Sequence, residues 1–85
     1  MASVEGKIRR LKAAMVELRR RKGDLSGSGQ LVLQRQNVSR RDWEVVFTVP
    51  VSKVYAKPQI ARTLMIAAGL DPDGRDGVLL QAYGC

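Results

Sequence analysis

Five apolar residues near the start of the chain, Val4, Ile8, Leu11, Met15 and Leu18, return at intervals of 4, 3, 4 and 3. That spacing commits the segment to a helix with a single apolar stripe. Its ends carry matching signals. Ser3 can cap the N-terminus, Glu5 stands in the first turn where the helix dipole favours an acid, and Arg19 to Lys22 complement the dipole at the other end. Gly23 suits a left-handed C-terminal cap, so the helix is predicted over Val4 to Lys22. Gly6 costs about 0.5–1 kcal/mol against alanine and weakens the first turn. The same spacing is a heptad seam, with Ile8 and Met15 in one core position and Val4, Leu11 and Leu18 in the other. Lys22 ends it after little more than two heptads, so packing within the chain is favoured over a helix-mediated homodimer.

Charge singles out the same segment. Residues 1–23 hold eight Lys and Arg against Glu5 and Glu17, a formal +6 of the whole chain's +7. A basic surface of this kind draws polyanions, and here it belongs to one amphipathic helix. Residues 24–30 read as a Gly/Ser linker, and residues 31–85 as a hairpin, a second helix and a C-terminal strand or tail.

Within that second part the apolar period changes to two. Gln30 to Val38 reads as a strand with Leu31 and Leu33 on one face, and Asn37 to Asp42 as a hairpin connection. Trp43, Val45, Phe47, Val49 and Val51 alternate with Glu44, Val46, Thr48 and Pro50 as a second strand. Pro50 lacks the N–H a ladder needs, which places that strand at an edge or ends its pairing there. Pro58 opens a second helix to about Ala68, and Gly69-Leu70-Asp71-Pro72 closes it, with glycine left-handed and Leu70 folding back onto the helix. Val78 to Tyr83 is a third strand or a partly ordered tail. The expected fold is a small single α+β domain in the order α-β-β-α(-β). Both helices pack on one face of a two- or three-stranded sheet, the face of Trp43 and Phe47; if the third strand pairs with the first, the second becomes an edge, in agreement with Pro50.

Function is narrowed largely by what the 85 residues lack. There is no histidine, which removes the commonest general base and zinc ligand, and the one cysteine, Cys85, excludes an internal disulfide or a Cys-rich metal site. No Gly-rich phosphate loop and no nucleophile beside a base is present, so no catalytic residue, cofactor or enzyme activity is expected. Asp71, Asp73 and Asp76 fail the calcium-loop pattern, since Asp76 stands where glycine is needed and Ala82 where glutamate is, and they read as a turn. The longest largely apolar runs, Val45 to Val51 and Leu64 to Leu70, are far too short for a membrane span. An N-terminus without an apolar stretch points to an intracellular, cytoplasmic or virion-associated protein rather than a secreted one.

What remains is a small basic binding module. Arg9, Arg10, Lys12, Arg19, Arg20 and Arg21 are positioned to contact the phosphates of RNA or DNA, and Arg35, Arg40 and Arg41 extend the footprint across the hairpin. Those arginines next to Trp43 suggest a stacking platform for unpaired bases, but the phase that Trp43 shares with Val45 and Phe47 puts its ring in the core. No base-reading motif is present, so binding is expected to be largely independent of sequence. The reading from a different class is an assembly or inhibitor protein of viral or phage accessory type. Such a protein would dock on an acidic partner, or associate with a second copy through the first helix.

Overall fold

A computed structural model describes residues 3–22 and 28–84. The expected caps and terminal groups at Gly23 and Cys85, and most of the Gly/Ser connector, lie outside the described residues. The chain forms α1 (Val4–Lys22), β1 (Gly29–Asn37), β2 (Asp42–Val51), α2 (Pro58–Ala67) and β3 (Val78–Tyr83). The α-β-β-α-β order is therefore the one read from the sequence. β1 begins at Gly29, two residues inside the segment read as linker.

Local chemistry accounts for the helix ends. Ser3 Oγ accepts the Gly6 N–H at 3.2 Å, the N-cap bond expected of a serine there. α2 starts on Pro58 without a side-chain cap and ends as a Schellman motif. Gly69 sits at φ +82°, its N–H reaches the Ile66 carbonyl, and the Leu70 N–H reaches that of Met65 at 2.9 Å. Leu70 folds back into the core as the motif requires.

The sheet has the order β2-β1-β3, with β1 antiparallel to both neighbours. β2 and β3 are thus parallel to each other across β1, joined through α2, and β2 is an edge strand, as Pro50 demands. One core fills the space between the sheet and both helices. Ile8, Leu11 and Met15 of α1 and Ala61 and Met65 of α2 meet Leu31, Leu33, Val49, Val51, Val78 and Leu80. The apolar stripe of α1 from Ile8 to Met15 is therefore spent on its own core, with Leu18 packed at its margin and Val4 left exposed. At the β3 edge the Met65 thioether accepts the Leu80 N–H at 3.4 Å, which gives a buried backbone donor a partner.

One expectation about the core fails. Leu33 pairs with Phe47, but Gln34 pairs with Val45, so Val46 is an extra residue in β2 and the strand has a bulge there. Two-residue alternation cannot survive an inserted residue. Beyond the bulge Trp43 and Val45 move to the face away from the helices, where they are 38% and 59% exposed, while Phe47 stays on the core face. The same shift puts Glu44 opposite Arg35 on the helix side.

Candidate nucleic-acid interface

α1 is 19 residues, roughly 28 Å at 1.5 Å per residue. Its direction is fixed by two contacts. Glu5 pairs with Arg35 near the hairpin, and Lys12 Nζ lies 5.5 Å from the centroid of the Phe47 ring. The helix therefore runs alongside β2, with Arg9 and Arg10 toward the hairpin end and Arg19 to Arg21 toward the Val51 end.

With Ile8, Leu11 and Met15 pointing into the core, the 100° step per residue places Ala13 and Glu17 most directly outward, with Arg9 and Arg20 to one side of them. Arg10 and Arg21 share one flank, and Lys12 and Arg19 the other. All five arginines are exposed, and Lys12 is half-buried because its stem covers Phe47. The pairs Arg9/Arg20 and Arg10/Arg21 are eleven residues apart, three helical turns or about 16 Å. The basic side chains thus form two bands separated by a middle turn of Ala13, Ala14 and Val16.

Ion pairing distinguishes the arginines further. Arg20 forms a two-pronged contact with Glu17, Nη2 to Oε1 at 2.7 Å and Nε to Oε2 at 2.9 Å. That hydrogen-bonded guanidinium holds the Glu17 carboxyl below its ordinary value, and the same bond raises Arg20. Among the described residues no carboxylate lies within ion-pair distance of Arg9, Arg10, Arg19 or Arg21.

The hairpin cluster does not stay together. Arg35 faces the helix side and is engaged by Glu5, and Arg40 lies 3.8 Å from Glu44. The loop is organised by Asn37, whose Oδ1 accepts the N–H groups of Ser39 and Arg40 while its Nδ2 donates to Glu44. Arg41 closes the loop in the left-handed region at φ +57°. Trp43 lies on the opposite face of the sheet from Arg35, so the arrangement of Trp43 beside Arg35, Arg40 and Arg41 is split between two sides of the molecule. The residue that sequence reasoning missed here is Glu5, whose pairing with Arg35 joins positions thirty apart and leaves no local signal.

Elsewhere the polar groups serve the turns. Asp76 accepts the Asp71 N–H, Asp71 accepts the Asp73 N–H, and Asp73 and Asp71 pair with Arg62 and Arg75. Among the described residues no three acidic, histidine or cysteine side chains come together to hold a metal ion, and no helix is long and apolar enough to cross a membrane. A depression of about 310 Å³ lies between Pro58, Arg62 and Pro72 and the last residues of β3. Compared with protein-family models, with curated proteins and with solved structures, the chain matches none of them.

Proposed function

We propose that this protein is a non-enzymatic module that holds nucleic acid through its phosphates, using the solvent face of α1. The observation that carries this reading is the division of labour on one helix. Its apolar stripe is buried against the sheet, and Arg9, Arg10, Arg19, Arg20 and Arg21 stand in solvent on a rod that cannot bend away. Such a rod holds its backbone in place before contact, so binding orders side chains alone, which lowers the entropic cost of contact. B-DNA carries one phosphate charge per about 1.7 Å of axis, and its major groove is about 12 Å wide. Two basic bands about 16 Å apart suit the two backbones flanking such a groove. Between the bands Ala13, Ala14 and Val16 offer no side-chain hydrogen bond to a base edge, and the Glu17 carboxylate is taken up by Arg20, in keeping with weak sequence preference.

Replacing Arg19, Arg20 and Arg21 together with glutamine tests the assignment. Each lost phosphate contact lowers the slope of log affinity against log salt by about 0.9, so with Arg20 already engaged by Glu17 the triple variant should lose the Arg19 and Arg21 contacts, roughly 1.8 of that slope, while keeping its fold. Unchanged affinity and slope would remove α1 as the binding face. Steep, salt-sensitive binding to an acidic protein instead of nucleic acid would transfer the same face to that class of partner.

A further inference from the structure

The loop that carries the chain from β2 into α2 brings two further cations to the end of the molecule where α1 finishes. α2 runs antiparallel to α1. Lys7 shares a flank with Arg10 and Arg21, and its stem packs beside Gly69, just past the end of α2. Pro58, at the start of α2, lies near Ala82 and Tyr83, and Tyr83 pairs with Gln30, itself opposite Pro50. Arg21 is fourteen residues from Lys7, roughly 21 Å, and Lys57 is twelve residues from Gly69, roughly 18 Å. Arg21 and Lys57 therefore come nearly level at the Val51 end, on touching helices whose axes stand about 8–10 Å apart. Lys53 is at the same end, its stem beside Gly84. Both lysines are exposed, and among the described residues no carboxylate lies within ion-pair distance of either. The described carboxylates gather toward the other end: Glu5, Asp42 and Glu44 about the hairpin, and Asp71, Asp73 and Asp76 in the loop after α2. Glu17, on α1, is taken up by Arg20.

We infer that the ligand of this surface is a double helix, and that Lys53 and Lys57 hold its backbone together with Arg19 and Arg21. The inference rests on the reading of α1 as a phosphate-binding helix and names what that helix binds. Two arrangements select the duplex. The first is the spread of the cations in two directions. Arg9 and Arg10 lie about 16 Å along α1 from Arg20 and Arg21, and Lys57 lies about 10 Å to the side, at the start of α2. A single strand offers such a face one line of phosphates. A duplex offers two, on either side of a groove about 12 Å wide. The second is where the aromatic rings are, because proteins that hold single strands set rings among their cations for the bases to stack on. This chain has one Trp, two Tyr and one Phe. Phe47 lies beneath Lys12, Tyr55 packs against the core, and Trp43 and Tyr83 are on the face of the sheet away from the helices. That far face is uncharged, so the rings and the cations that a single strand needs together stand on opposite sides of the molecule. Net charge conceals the two lysines in the sequence, since residues 24–85 sum to only +1 and the acids that balance them there lie mostly toward the hairpin.

Fluorescence anisotropy of a labelled DNA duplex, and of one of its strands alone, titrated with the full chain at several salt concentrations tests this. Wild type should bind the duplex roughly tenfold more tightly than the single strand, or better. The double variant Lys53→Gln, Lys57→Gln should lower the duplex salt slope by about 0.9 for each lysine, roughly 1.8 together, with an unchanged circular dichroism spectrum. Arg75→Gln, an equally exposed change in the loop after α2, should leave the slope as it is. A lysine variant with the wild-type slope, or a single strand bound as tightly as the duplex, would overturn the inference. So would an equal loss of slope in Arg75→Gln, since the effect would then be one of net charge. In each of these cases α1 stays the binding helix as long as replacing Arg19, Arg20 and Arg21 lowers the slope. A wild type that binds neither probe would remove the function proposed above, and this inference with it.

Discussion

Glu17 stands among the arginines at the C-terminal end of α1 and occupies Arg20 with both of its oxygens. For phosphate binding it is a built-in competitor. Because its carboxyl is held below the ordinary value, it stays ionised through the neutral range, and Arg20 is released only as pH falls through that lowered value. The attraction that Glu17 adds to folding is present above the ordinary carboxylate range and fades over the same acidic window; it is small because the pair is exposed. Glu17→Gln should therefore leave thermal stability nearly unchanged and tighten binding to duplex DNA, with a salt slope steeper by about one contact. A variant that binds no better would show that Arg20 takes no part. At Gly29 the issue is space. A methyl group there would overlap Ala56 Cβ and stand 2.7 Å from the Tyr83 carbonyl oxygen, where the end of β3 passes the start of β1. Gly29→Ala should cost about 1–3 kcal/mol, read from a denaturant midpoint, by forcing backbone apart rather than by restricting φ.

At the scale of elements, the helices were legible because their signals are local. The 4-3-4-3 stripe, Ser3 and the Gly69-Leu70 stop each act within a few residues, and the observed α1 and α2 end within a residue of where those signals place them. β2 was half legible. Its edge position follows from Pro50, but the burial of Trp43 was read from an alternation that a bulge interrupts. The one local trace of the bulge is Val46, an apolar residue at a position that the period of two reserves for the solvent face. Two matched substitutions measure the phase change. Val49→Thr puts a hydroxyl into the core at a cost of about 1–3 kcal/mol, and Val45→Thr, on the uncharged face, should stay within about 0.5 kcal/mol of wild type. An unbroken strand would make the two costs alike. Of the candidate contacts, the arginines of α1 could be placed from the sequence because they share one regular helix. The hairpin arginines could not, since the side each takes depends on the bulge and on Glu5, thirty residues away.

The molecule as a whole has two unlike sides. The helical layer holds nearly all of the chain's excess positive charge, and the far side of the sheet holds none. Phosphate binding by the first side should weaken steeply with salt. The most direct test of the account is the affinity of the wild-type chain for a labelled generic DNA duplex at about 50 and 200 mM salt. Some six phosphate contacts along α1 and its neighbours predict roughly a thousandfold loss of affinity across that range. Binding that is weak at both salts, or tight and indifferent to salt, would contradict the assignment of α1 as a phosphate-binding helix.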